Sequence, residues 1–159
     1  MSDNIFVVSD SGLLTLFKVE SDEKISFLET PENVRIIGKR AFAYFELSHI
    51  KLNEGLIEIN EEAFSGSTAD EIDLPESLSI IRDRAFESCR HLKKLYIPKN
   101  VHSIGRDILS YSGVEKIEIS PENKYYTMKD SIIYTHDMQT VVLNAEPGNN
   151  YIVLADTVK

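Results

Sequence analysis

Basic side chains are scarce in this chain: 17 Lys and Arg stand against 26 Asp and Glu, giving a net charge of −9 and an isoelectric point near 4.9. Phosphate recognition needs clustered Lys and Arg, so nucleic acid is not an expected partner, and neither is an anionic membrane surface. Cysteine occurs once, at Cys89, which rules out an internal disulfide. No apolar run approaches the roughly 18–20 residues of a membrane span, so membrane insertion is not expected either. The opening Met1-Ser2-Asp3-Asn4 lacks the basic start of a secretory signal, and Ile5–Val8 is too short for its apolar part. Two expectations for location follow: cytoplasmic if Met1 is the native start, cell-surface or secreted if the chain is a fragment of an exported parent.

Catalytic signatures are missing as well. There is no glycine-rich phosphate loop, no G-x-S-x-G, and no carboxylate pair beyond ordinary surface acids. His49, His91, His102 and His136 show no i, i+4 zinc spacing. The acidic stretch with Glu54, Glu58, Glu61 and Glu62 lacks the regular oxygen-ligand loop of a calcium site. The expectation is a non-enzyme with no cofactor and no metal.

What the chain does have is a period. Ala41-Phe42, Ala63-Phe64 and Ala85-Phe86 recur at steps of 63 − 41 = 22 and 85 − 63 = 22, and Ile108-Leu109 follows 23 residues later as a degraded copy. A fixed period in this range marks stacked supersecondary units, none of which can bury its apolar side alone. Each unit opens with an alternating triplet: Leu28-x-Thr30, Ile50-x-Leu52, Ile72-x-Leu74, Leu95-x-Ile97 and Ile117-x-Ile119. Such alternation predicts a short strand with one face in the core. Pro31, Pro75 and Pro98 follow the triplets and end the strands, because proline lacks the backbone donor. Pairs spaced by three, such as Val101 and Ile104, should line the returning side, while Leu47, Ala69, Leu92 and Val114 share one slot before the next strand. Cys89 occupies the apolar slot equivalent to Phe45, which reads as a buried structural thiol rather than a nucleophile. The resulting fold class is a solenoid with one short parallel strand per 22–23-residue coil and irregular or 3₁₀ returning segments, a unit of this length being too short for a long helix.

These residues resemble the BspA-like (Treponema-type) leucine-rich repeat, whose consensus runs roughly L-x-x-I-x-I-P-x-x-V-x-x-I-G-x-x-A-F-x-x-C. Leu92–Leu109 follows it through "LKKLYIPKNVHSIGRDIL" and departs only at Ile108-Leu109, while "AFESC" at Ala85, Phe86 and Cys89 matches its end. Ser120–Gly148 is similar to the family's longer unit, with an N-x-x-Y-x-x-x-D-G-x-L-Y motif in which Ser131 stands where glycine is typical. There the next strand should start at Ile152, leaving room for an added β-hairpin. A further hairpin is expected from Phe6-Val7-Val8, the turn Asp10-Ser11-Gly12, and Leu13–Val19. The expected organisation is one continuous domain: a hairpin cap over 1–27, repeats over 28–119, and an insertion hairpin with the start of another repeat over 120–159. An open strand edge after Val158-Lys159 would invite homo-association.

The outward positions of the triplet strands form two columns, Phe27, His49, Glu71, Lys94, Lys116 and Glu29, Lys51, Asp73, Tyr96, Glu118. With strands about 4.8 Å apart, Glu29–Lys51–Asp73 and Glu71–Lys94 should form charge ladders. On the bland reading the face is solvated and self-neutralising. On the functional reading it is a recognition surface with Tyr96, His49 and Phe27 as anchors. The candidate partner-binding residues are His49, Lys51, Glu71, Asp73, Lys94, Tyr96, Lys116 and Glu118, on what would be the concave sheet. The resemblance implies a non-catalytic protein-interaction module serving adhesion or host-protein binding at a cell surface. An intracellular scaffold for an endogenous protein and a structural spacer are the alternatives.

Overall fold

The computed structural model describes residues 6–8, 14–19 and 25–144, with side chains described over 25–142. Fourteen short strands and no helix occur among these residues. Near the N-terminus, β1 (Phe6–Val8) pairs antiparallel with β2 (Leu14–Val19). The expected turn between them, Asp10-Ser11-Gly12, lies outside the described residues.

From residue 25 the chain coils. The triplets give β3 (Ile25–Glu29), β5 (Leu47–Lys51), β7 (Glu71–Asp73), β9 (Lys94–Ile97) and β11 (Lys116–Ile119), each parallel to the strand it pairs with. Between them the aliphatic pairs spaced by three do more than line the core. The second residue of each pair lies in a further short strand: β4 (Val34–Ile37), β6 (Glu58–Ile59), β8 (Ile80–Ile81) and β10 (Ser103–Ile104). These strands pair in parallel, and β2 lies beside β4, so the second sheet runs β1-β2-β4-β6-β8-β10. Two strands per coil, not one, is the departure from the sequence expectation. The cause is that Ile37, Ile59 and Ile81 are fully buried, so their backbone polar groups leave water and need partners; the next coil supplies them, the N–H groups of Asn60, Arg82 and Gly105 donating to the three carbonyls.

The first sheet is interrupted. β3, β5 and β7 form one ladder and β9 with β11 another, with β7 and β9 adjacent but without a registered pairing. The third coil is longer: Phe86 and Leu92 are six apart, whereas Phe42 and Leu47, and Phe64 and Ala69, are five apart. That extra residue falls between Phe86 and Leu92, in the turn that leads to β9.

The Ala-Phe segments are turns, which agrees with an irregular return. Phe42, Phe64 and Phe86 stack through the core, with ring centroids 4.9 Å and then 5.6 Å apart. Alternate backbone N–H groups of one turn donate to the next: Arg40, Phe42 and Tyr44 reach the carbonyls of Glu61, Ala63 and Ser65. Arg40, Tyr44, Glu62, Arg84, Ser88, Asp107 and Tyr111 adopt φ between 55° and 58°, and Gly66 has φ 71°. The left-handed region is uncommon for residues with a Cβ. Here it recurs because the coil-to-coil bonds over-determine it.

Where the third unit has Pro75, the second has Asn53, and its buried side chain replaces proline's stiffness with hydrogen bonds. Asn53 Nδ2 donates to the carbonyls of Val34, Glu32 and Glu54, and its Oδ1 accepts from Thr30 Oγ1 at 2.8 Å. Asn123 repeats the device: its Nδ2 donates to the carbonyls of Pro98 and Val101, and its Oδ1 accepts from the N–H groups of Tyr125 and Tyr126. This opens the insertion, which consists of β12 (Tyr126–Lys129), β13 (Ile132–Thr135) and β14 (Val141–Asn144) in an antiparallel sheet. Asp130 and Ser131 (φ 50° and 61°) make the two-residue turn, and Tyr126 and Ile133 join the core. The further repeat expected from Ile152 lies outside the described residues.

Candidate functional site

Alternation along the triplet strands buries Ile50, Ile72, Leu95 and Ile117 and turns their neighbours outward. The register brings the predicted columns together as two rows. In the first ladder Phe27 faces His49 and His49 faces Glu71, while Glu29 faces Lys51 and Lys51 faces Asp73. In the second, Lys94 faces Lys116 and Tyr96 faces Glu118.

The contacts these residues make differ in part from the expected charge ladders. Lys51 Nζ holds Glu29 at 2.8 Å, as expected. Asp73, however, accepts His49 Nε2 at 2.8 Å, and Glu71 lies 3.8 Å from His49 Nδ1. The Glu71–Lys94 pair does not form. Lys94 turns instead to Glu118 at 2.6 Å, and Lys116 holds the same carboxylate at 2.6 Å. The reason is the missing ladder between β7 and β9, which leaves Glu71 and Lys94 on separate sheet segments, whereas Glu118 lies diagonal to one lysine and two residues along from the other. Lys116 and Lys94, in that order, hold the Glu118 carboxyl down at about 2.

Tyr96, the anchor candidate, is half-buried rather than free, and its hydroxyl donates to Glu76 at 3.2 Å. Phe27 is exposed and packs T-shaped against the His49 ring, centroids 5.1 Å apart at 81°. Beside the ends of β3, β5 and β7 lies an open groove of about 640 Å³, whose lining includes Glu29, Lys51, Asn53, Asp73 and Pro75. Triplet alternation gave no signal for this groove, because it is made by the turns that follow the strands.

Cys89 is fully buried and its Sγ donates to the Phe64 carbonyl at 3.0 Å. Burial raises the thiol to about 11, against smaller opposing hydrogen bonds from Ser67 and Gly66. That is the structural thiol the repeat slot implied. Sequence reasoning gave no notice of Tyr44 and Tyr111, which stand exposed at equivalent positions on the returning side.

A parallel coil of this period, with Ala-Phe turns stacked between two sheets, is diagnostic when set beside known families. A family model described as BspA type leucine rich repeat region matches residues 17–137 in six copies. The chain belongs to this family. Solved structures agree on the leucine-rich-repeat fold. A leucine-rich repeat protein from Bacteroides capillosus superposes with a TM-score of 0.60 at 21% identity, over 72% of this chain and 92% of that one. The T. pallidum leucine rich repeat protein gives 0.57 at 20% identity, over 71% and 68%. One from Eubacterium ventriosum gives 0.64 at 18%, over 90% of this chain and 49% of that one. Comparison with curated proteins finds no match. Leucine-rich repeat folds of this kind generally mediate protein–protein interaction, and no helix among the described residues is long and apolar enough to cross a membrane.

Proposed function

We propose that this BspA-type chain is a non-catalytic binding module that engages a protein partner through the face carrying β3, β5, β7, β9 and β11, in adhesion or host-protein binding at a cell surface. The carrying observation is the register within each ladder, which pairs His49 with Glu71 and Lys51 with Asp73, and Lys94 with Lys116 and Tyr96 with Glu118, although the sequence separates each pair by 22 positions. Tyr96 supports the reading: its ring is held by packing and by Glu76, so little side-chain freedom is lost on binding. The charged groups around it fit a polar rim. An intracellular scaffold would use the same face for an endogenous protein, and the two readings separate on where the chain resides.

The test is a titration of immobilised extracellular-matrix proteins with the wild type, Tyr96→Ala and Arg106→Ala, each checked by thermal melting. Tyr96→Ala should weaken binding by more than about 1 kcal/mol, the threshold for an energetically significant contact. Arg106, exposed on the returning side and paired with Asp83, should be near neutral on substitution. Binding abolished by Arg106→Ala and untouched by Tyr96→Ala would move the recognition surface to the opposite side. Absence of binding to any matrix protein would remove the adhesion reading.

A further inference from the structure

His49, Glu71 and Asp73 stand apart from the other charged groups on this face. Glu29 is held by Lys51, and Glu118 by Lys94 and Lys116, each carboxylate having a permanent cation at 2.6–2.8 Å. Glu71 and Asp73 have no lysine or arginine at ion-pair distance among the described residues. Their shared neighbour is the His49 imidazole, a cation only when protonated. Lys51, directly across from Asp73 in the ladder, commits its Nζ to Glu29 instead. Two carboxylates on one face of β7 thus flank one imidazole on β5, and one donor atom from each residue can be chosen so that all three lie within 4.8 Å of one another.

We propose that His49, Glu71 and Asp73 form a binding site for an imidazole-preferring transition-metal dication, with Zn²⁺ as the fitting ion. A nitrogen and two carboxylate oxygens make a donor set suited to Zn²⁺, which takes His nitrogen and carboxylate oxygen at about 2.0–2.2 Å and in open sites uses three protein ligands. Hard cations such as Ca²⁺ and Mg²⁺ take oxygen ligands and gain little from the imidazole. Donors around one such ion sit roughly 3–3.5 Å apart, so donors up to 4.8 Å apart close in by up to about 1.8 Å, and because Asp73 sits at Nε2 and Glu71 at Nδ1, one carboxylate swings to the nitrogen the ion takes. Glu71 and Asp73 are exposed and can do so by side-chain rotation alone. The imidazole is the less mobile partner, half-buried and in T-shaped contact with the Phe27 ring. Asp73 also borders the 640 Å³ groove, so the positions the ion leaves open face water. No i, i+4 histidine pair announces this site, because the ligands lie 71 − 49 = 22 and 73 − 49 = 24 residues apart and meet only through the coil register. The site does not depend on the partner reading.

The experiment is calorimetric titration of the full chain with Zn²⁺ alone, repeated with His49→Ala, Asp73→Asn and His91→Ala. His91 forms the other imidazole–carboxylate contact among the described residues, 3.8 Å from Asp70, and serves as the control. One Zn²⁺ per chain is expected. His49→Ala and Asp73→Asn should each weaken uptake by about tenfold or more, at least the cost of disturbing a metal's outer-shell support, while His91→Ala leaves it unchanged. All three substituted side chains are at least partly exposed, and a thermal melt of each variant confirms its fold. In the wild type, Zn²⁺ should shift the His49 ring resonances, and excess Ca²⁺ should not compete. Failure to saturate at millimolar Zn²⁺, or uptake that survives both His49→Ala and Asp73→Asn, overturns the proposal.

Discussion

The phenyl ring of Phe64 lies parallel over that of Phe42, 4° between their planes, and on its other side over Phe86 at 18°. All three are completely buried. Phe64→Ala is therefore expected to cost about 3–5 kcal/mol. The loss should exceed that of Phe86→Ala, because Phe86 has one stacked ring neighbour among the described residues where Phe64 has two, and an aromatic pair adds about 0.5–1.5 kcal/mol beyond burial. Urea denaturation of both variants checks the order. A smaller loss for Phe64→Ala would mean that the stack contributes no more than its buried area.

The turn between β12 and β13 holds Asp130 and Ser131 both at positive φ, the geometry of a type I′ turn. Ser131→Gly should stabilise the chain by about 0.5–1 kcal/mol, since glycine reaches the left-handed region without the Cβ penalty of other residues. Thermal melting detects the change, and a lower melting temperature would show that the serine side chain compensates its backbone.

Glu118 titrates far below the usual carboxylate range while the fold is intact. Its value falls from 4.5 in the unfolded chain to about 2, so its stabilising effect is complete above pH 4.5 and is lost as pH drops from there towards 2. Carboxyl ¹³C shifts should place its midpoint near pH 2. Glu118→Gln should flatten the acid limb of the stability profile in that window; an unchanged limb would show that the two lysines do not hold the carboxylate in solution.

Cys89 should resist Ellman's reagent at pH 8 in the native protein and react promptly in denaturant. Its Sγ is sealed under the Phe64 carbonyl, and burial keeps it protonated. Rapid native-state labelling would indicate that the third coil opens locally.

Much of this architecture was legible because the repeat supplied several readings of each slot. The stacking of Phe42, Phe64 and Phe86, the shared burial of Leu47, Ala69 and Leu92, and the facing pairs Phe27–His49 and Glu29–Lys51 all follow from a 22-residue ruler. The ruler says nothing of backbone hydrogen bonding, so the spacing of Val34 and Ile37 marks a core-lining pair and not the second strand they lie in. Nor does it mark left-handed turns, for among the eight recurrent positions only Gly66 carries the residue that would announce one. Side-chain pairing was the least legible. Whether Lys94 reaches Glu71 or Glu118 depends on a ladder that breaks at one inserted residue.

That break has an electrical consequence. On the β3-β5-β7 segment the outward charges of Glu29, Lys51, Glu71 and Asp73 sum to −2, leaving the imidazole aside; on the β9-β11 segment Lys94, Lys116 and Glu118 sum to +1. The face is a dipole lying along the stack of coils. A polypeptide laid across it has a preferred direction, basic end over β7 and acidic end over β11, and turning it end for end sets like charges against each other.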